Sequence, residues 1–145
     1  MRYYFLLLVV CISCTKGPST PEGLIEMYIS DLMTKDVDKD YFEKYTGGKL
    51  WESVADLSEE DFKKFINIKK VKNPKIEISN KSCRDNSCTL TYIIKYDLLG
   101  ENDKSFKSEV KKIAILKEIE KNWKIFEVTN VKTFVDSKTP IEVMK

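Results

Sequence analysis

The hydrophobic period of the chain changes once, at Pro74, and this change constrains the fold more than any other feature. Upstream of Pro74 the apolar residues recur at helical spacing. Downstream they alternate with polar residues, the period-two pattern of strands that bury one face. Helices followed by a run of strands are typical of the α+β class. We therefore expect N-terminal helices packed on a curved antiparallel sheet of about four strands.

The helical part starts at Thr20, a good N-cap residue that is followed by proline at the first helical position. We predict a first helix over residues 21–35, whose apolar stripe is Leu24, Ile25, Tyr28, Ile29, Leu32 and Met33. A second short helix is expected around residues 41–45, ending at Gly47-Gly48, and a further apolar turn follows around Trp51.

Two to four helices are expected in all, and the last of them has a strong start signal. Ser58 is placed to cap it, and Asp61 stands three positions later, at the capping-box position. We expect its buried face to consist of Phe62, Phe65 and Ile66.

Four strands are predicted after Pro74, at residues 75–82, 88–98, 106–119 and 123–134. In the third strand the apolar parity slips between Val110 and Ile113, which suggests a bulge near Lys111-Lys112.

The first predicted hairpin carries two cysteines, Cys83 and Cys88, on either side of a turn-forming Asp-Asn-Ser. Residues facing each other across antiparallel strands lie within disulfide reach, so we predict a structural disulfide. A redox-active pair, half of a metal site and two free thiols are the alternatives. Redox pairs usually have two intervening residues. Apart from Cys11 and Cys14, which we assign to the signal segment and its lipid, the chain has no further cysteine, and it has no histidine, so nothing would complete a metal site.

Residues 1–13 have the layout of a secretory signal: a positive charge at Arg2, a ten-residue apolar run and the small residue Ser13. Ser13 followed by Cys14 resembles the lipobox of bacterial lipoproteins. The resemblance implies cleavage after Ser13 and attachment of diacylglycerol and a further acyl chain such as palmitate to Cys14. Because Thr15 follows rather than Asp, it also implies the outer membrane of the cell envelope. An ordinary cleaved signal, or a membrane anchor with incidental cysteines, is the alternative.

The Pro- and Gly-rich sequence after Cys14 is typical of a flexible tether. We therefore divide the chain into a signal peptide (1–13), a lipidated cysteine with its tether (14–21), an α+β domain (22–136) and a C-terminal tail (137–145).

Two segments carry a resemblance to a known fold family. Residues 116–128, which read LKEIEKNWKIFEV, resemble the closing hairpin of small lipoproteins with a nuclear-transport-factor-2-like (NTF2-like, cystatin-like cone) domain. Residues 21–28, PEGLIEMY, resemble the first helix of that family. The resemblance implies a sheet that curves into a cup around its helices. Tyr92, Tyr96 and Trp123 are candidate residues for lining that cup.

Composition argues against catalysis and metal binding. The chain contains no histidine, which removes the most common general base and a frequent metal ligand. Asp36, Asp38 and Asp40 have the spacing of a calcium loop, but the glycine and the final glutamate of such a loop are missing. Asp97 and Glu109 could line a cavity, yet we expect them to be exposed partners of lysines. We predict no enzymatic activity, no cofactor and no metal.

Charge divides the chain into two halves. Residues 14–61 contain 12 acidic and five basic residues, whereas residues 62–145 contain 11 acidic and 19 basic ones. Six lysines gather where the helices pass into the strands: Lys63, Lys64, Lys69, Lys70, Lys72 and Lys75. An acidic protein or an anionic envelope component is therefore an expected partner, with a solvated lysine face as the alternative. A nucleic-acid partner is not expected, because the exported chain keeps a single arginine.

These observations predict a lipid-anchored envelope lipoprotein that acts as a non-catalytic binding or interaction module. A structural envelope-maintenance component without a ligand is the first alternative. An enzyme that uses the cavity of the same fold is the second. An open cup with convergent polar side chains would favour ligand binding, and a cup filled by Trp51, Phe62, Phe65 and Trp123 would favour an interaction scaffold.

Overall fold

The structure, a computed structural model, describes residues 18–66, 71, 74–99 and 105–136. Four helices precede four strands: α1 (Pro21–Thr34), α2 (Lys39–Tyr45), α3 (Gly48–Glu52), α4 (Glu59–Phe65), β1 (Lys75–Arg84), β2 (Ser87–Leu99), β3 (Ser105–Ile119) and β4 (Asn122–Asp136). The strands form one antiparallel sheet in the order β1-β2-β3-β4. The prediction of an α+β fold with a four-stranded antiparallel sheet is therefore confirmed.

Local sequence chemistry explains where three of the helices begin. The Thr20 side chain accepts a hydrogen bond from the Gly23 amide, Asp38 accepts one from Tyr41, and Ser58 accepts one from Asp61. Each of these bonds satisfies an amide that has no partner inside the helix. Asp38 therefore serves as a helix cap.

The helices lie on one face of the sheet, which we call the inner face. The buried apolar side chains of α1 pack on this face together with Phe42 of α2, Phe62 of α4 and Val54 from the turn after α3. Between α2 and α3, the Gly47 amide donates to the Ile125 carbonyl of β4 at 2.9 Å. Gly48 follows at a φ of +51°, and a Cβ there would lie 2.5 Å from a ring carbon of Phe126. Only glycine fits this close approach of α3 to the sheet.

Cross-strand pairing divides the inner face into rows. At one end, which we call the packed end, one row contains Cys88, Leu116 and Ile125, and the next contains Leu90, Ala114 and Val128. All of these are 2% exposed or less except Val128, which is half-buried and borders the cavity. At the other end, which we call the open end, the rows contain Tyr92, Lys112 and Asn130, and Ile94, Val110 and Thr133. The helices fill the packed end with side chains and leave a cavity at the open end.

Two sequence-based expectations need correction. The register between β3 and β4 does shift at Lys111/Lys112, but the extra residue is Val131 of β4, and β3 pairs with β2 without interruption. The supposed parity slip instead reflects half-buried isoleucines on the outer face of β3, at Ile113 and Ile115. Lys112 consequently lies on the inner face.

Phe65, predicted to be buried with Phe62, is 53% exposed. A side chain three positions further along a helix is rotated by roughly 60° from its predecessor. Phe62 therefore takes the core position, and Phe65, the last residue of this short helix, lies beside the core.

Several predicted features fall outside the described residues. These are the signal segment with Ser13 and Cys14, most of the tether, Lys69, Lys70 and Lys72, and the C-terminal tail.

Candidate functional site

A cavity of about 510 Å³ lies between the helices and the open end of the sheet. Its walls are mainly apolar: α1 contributes Ile29, Leu32 and Met33, and the strands contribute Ile94 and Val110. This volume lies within the range that small-molecule sites in proteins usually have. The cavity is therefore large enough for a small organic ligand.

A row of polar side chains crosses the floor of the cavity. Lys112 of β3 is the direct cross-strand partner of Tyr92 on β2 and of Asn130 on β4. All three border the cavity. Direct partners across antiparallel strands have Cβ atoms roughly 4.5–5.5 Å apart, so the lysine lies between a phenol and an amide. These groups converge because alternate residues of neighbouring strands share a face.

The Tyr92 hydroxyl is buried and finds no hydrogen-bond partner in the part of the chain that the structure describes. Its burial raises the pKa of the Tyr92 phenol above the usual range. Burial also raises the pKa of Tyr28, which faces the same cavity from α1, with a further contribution from Tyr92 nearby. Both phenols are therefore neutral hydrogen-bond donors at physiological pH. A buried hydroxyl without a partner costs free energy and calls for an explanation.

Lys112 is the charged residue of the cavity lining among the described residues. Burial lowers the pKa of its ammonium, because the charged form loses hydration there. Within residues 18–66, 71, 74–99 and 105–136, its Nζ has no hydrogen bond and no ion pair. The cavity floor thus presents a partly desolvated cation with unused hydrogen-bonding capacity.

The mouth of the cavity is marked by lining residues that are also exposed. Phe65 reaches it from α4, and Asn130 and Thr133 reach it from β4, where the Asn130 amide donates to the Thr133 hydroxyl at 3.4 Å. Tyr96 of β2 is half-buried at the same end of the sheet. As far as the described residues line it, the cavity therefore opens to solvent beside the end of α4.

The three residues predicted to line a cup lie in different places. Tyr92 and Tyr96 border the cavity, two positions apart on the inner face of β2. Trp123 pairs with Glu118 and packs half-buried against the core, away from the cavity. Sequence reasoning missed Lys112, because the bulge assigned near it left its face undetermined. Its even spacing from Val110 and Ala114, which are both buried, was the signal that could have found it.

The candidate carboxylates lie outside the cavity. Asp97 pairs with Lys107 and Glu109 pairs with Lys95, both on the outer face of the sheet. This placement agrees with the expectation that they face lysines. No group of three or more potential metal ligands occurs among the described residues.

Cys83 and Cys88 lie opposite each other in the β1–β2 hairpin, with their Cα atoms 4.1 Å apart and their sulfur atoms at bonding distance. The pair belongs to the row at the packed end, beside Leu116 and well away from Lys112. This cysteine pair thus connects the hairpin ends and contributes nothing to the cavity lining.

Comparisons with known proteins find no relative of this chain, so the functional proposal rests on the chemistry of the cavity. No helix among the described residues is long and apolar enough to cross a bilayer. A scan against models of protein families finds no match to the chain, and a search of curated proteins finds none either.

Proposed function

We propose that the chain is a lipid-anchored envelope lipoprotein whose domain binds a small, largely apolar ligand in the open-end cavity and catalyses no reaction. The observation that carries this proposal is the cavity of about 510 Å³, with its apolar walls and its row of polar side chains. Small-molecule sites typically combine apolar walls with a few polar groups that orient the ligand. The arrangement at the open end has both features.

For the fold, we propose the NTF2-like cone. Three register shifts support it, one at Ser79 in β1 and two in β4, at Phe126 and Val131. Bulges of this kind bend strands, and a bent sheet can wrap around helices on its inner face. The helices lie on that face.

The binding proposal is tested with a neutral apolar dye, N-phenyl-1-naphthylamine, whose fluorescence rises when it leaves water. We expect saturable enhancement with the wild-type chain and its loss in Val110→Phe, because the larger ring occupies the cavity. Ile113→Phe is the matched control, since Ile113 lies on the outer face of the same strand. Absence of saturable binding, or equal loss in both variants, would contradict a ligand site at the open end.

The anchor is tested by fractionation. Cys14→Ala should move the chain from the membrane to the soluble fraction, because the two or three acyl chains that hold it are lost. Cys11→Ala is the matched control and should leave the chain in the membrane fraction. If the Cys14 variant remains with the membrane, the lipid anchor is wrong.

A further inference from the structure

We infer that the ligand of this cavity is an amphipathic monoanion with an apolar body and a single carboxylate, and that the carboxylate lies against Lys112. This inference rests on the proposed ligand site and assigns it a chemical class. Three features of the cavity carry it: the charge of the floor, the neutral donors beside that charge, and the apolar walls.

The charge of the floor selects an anion. Lys112 borders the cavity, and the described residues place no carboxylate in its lining. Asp97 of β2 and Glu109 of β3 lie on the outer face. Partial burial of Lys112 disfavours its charged form unless an opposite charge or hydrogen-bond acceptors reach it. An anionic group that enters the cavity supplies both.

The neighbours of Lys112 select the kind of anion. Tyr92 and Asn130 flank it in the cross-strand row. The Tyr92 phenol is a neutral donor, and the exposed Asn130 amide has a second N–H besides the one that it donates to Thr133. The Tyr92 hydroxyl is buried without a partner, so a carboxylate oxygen would satisfy it. Hydrogen bonds to a charged acceptor are about twice as strong as neutral ones. One cation and two neutral donors match the single charge and two oxygens of a carboxylate.

A doubly charged head group fits this floor less well. A phosphate monoester carries between about 1.5 and 2 negative charges near neutral pH. Lys112 would balance only one of them, and the remainder would lie unpaired among apolar side chains, which is costly. The same row would repel a cationic head group.

The walls select an apolar body. Above the polar row, Ile94 and Val110 of the sheet face Ile29, Leu32 and Met33 of α1. An alkyl chain or a ring system that displaces water from this surface gains hydrophobic free energy. The ligand therefore lies with its head at the cross-strand row and its body along these side chains.

The experiment uses the full chain carrying Cys14→Ala, so that no attached acyl chain competes for the cavity. Four probes with the same alkyl tail are titrated by calorimetry: decanoate, decanol, decyl phosphate and decyltrimethylammonium. We expect decanoate to bind at least about tenfold more tightly than decanol, since hydrogen bonds to a charged group contribute roughly 1.5–3 kcal/mol. Decyl phosphate should bind more weakly than decanoate, and the cationic probe most weakly of all.

Variants test whether the polar row is the cause of the preference for decanoate over decanol. Lys112→Met should abolish the advantage of decanoate over decanol, because the charge that distinguishes the two head groups is removed. Lys112→Arg should keep much of the advantage. Tyr92→Phe should weaken decanoate binding several-fold and decanol binding by less, because the hydrogen bond to a charged acceptor is the stronger one. Circular dichroism identifies any variant that does not fold. The comparison of the four probes on the chain with an unchanged cavity does not depend on these variants.

The outcomes separate this inference from the proposed function. Equal binding of decanoate and decanol, or tighter binding of decyl phosphate, would overturn the carboxylate assignment and leave the ligand site standing. Failure of all four probes, together with failure of the neutral dye, would overturn the ligand site itself. A decanoate preference that survives in Lys112→Met would show that the anion binds elsewhere.

Discussion

The packed end and the open end of the inner face are built from the same strands, yet they differ in what covers them. At the packed end, Leu90, Ala114, Leu116 and Ile125 are all 0% exposed. At the open end the same strands carry a tyrosine, a lysine and an asparagine beside a cavity of about 510 Å³. Alternation along the strands is uninterrupted from one end of β3 to the other. The difference therefore lies in the side chains that face the sheet.

This comparison assigns different tasks to the two ends. Close packing makes the packed end the main source of stability, because each buried methylene there has contacts on all sides. The open end keeps an unpaired hydroxyl and a partly desolvated cation, both of which reduce stability in the absence of a ligand. Groups that reduce stability and converge on a cavity are typical of binding sites. The predictions below test this division.

The largest effect is expected from truncation at the packed end. Leu116→Ala should lower the free energy of unfolding by about 2–5 kcal/mol, since it removes a fully buried side chain from a close-packed core. Ile94→Ala is the matched change at the open end and should cost less, about 1–2 kcal/mol, because Ile94 already borders open space. Urea denaturation measures both. Equal losses would show that the two ends are packed alike.

The cysteine pair should be the next largest contributor. Replacing Cys83 and Cys88 by alanine should lower the free energy of unfolding by about 2 kcal/mol, the entropic value of closing so short a loop. Mass spectrometry under non-reducing conditions should find the two cysteines of the wild-type chain joined. Because the pair lies at the packed end, dye binding should be unchanged in the variant. Free thiols in the exported protein, or a change in dye affinity, would contradict this assignment.

Lys112→Met should have the opposite sign and stabilise the unliganded chain by roughly 0.5–1 kcal/mol, a value reduced because solvent still reaches part of the side chain. Its pKa is lowered by burial, so the folded state binds the proton less tightly than the unfolded state. The stability that the wild-type chain loses through Lys112 is therefore greatest at neutral pH. This loss shrinks as the pH rises from the lowered pKa of the folded state towards the unfolded value of about 10.4. Unfolding curves of both chains from pH 7 to pH 10 should converge. A constant difference would show that the lysine is fully solvated.

The smallest effect concerns the ion pair between Glu22 at the start of α1 and Lys81 of β1, beside the packed end. The hydrogen bond from Lys81 lowers the pKa of the Glu22 carboxyl. The stabilisation from this ion pair is therefore complete above pH 4.5, the ordinary pKa of the glutamate side chain. It is lost as the pH falls through the lowered pKa that Glu22 has in the folded chain. Glu22→Gln should cost about 0.5 kcal/mol at pH 7, a screened surface value, and nothing at pH 2. An equal cost at both pH values would assign the effect to packing.

Sequence alone predicted much of the fold, because helix caps and hydrophobic period are local properties. Thr20 and Ser58 cap helices as expected, and the strands follow the alternation seen after Pro74. Phe65 was misplaced because its exposure depends on where a short helix ends relative to the sheet. That relation is tertiary, and no local pattern encodes it.

The candidate site was only partly predictable. Tyr92 and Tyr96 were singled out as inner-face aromatics of β2, and both border the cavity. Lys112 escaped because the bulge predicted near Lys111-Lys112 left its face undetermined, whereas the extra residue belongs to β4. Pairing between strands determines which residue is bulged, and pairing is visible only in the folded chain.

The central claim, that the open end binds ligand and the packed end does not, is tested most directly by methyl NMR during titration with decanol. The account predicts saturable shifts of the Ile94 and Val110 methyl resonances. Those of Leu90 and Leu116 at the packed end, and of Ile113 and Ile115 on the outer face, should stay unchanged. Shifts confined to the outer face, or no shifts at any of the six residues, would contradict the account.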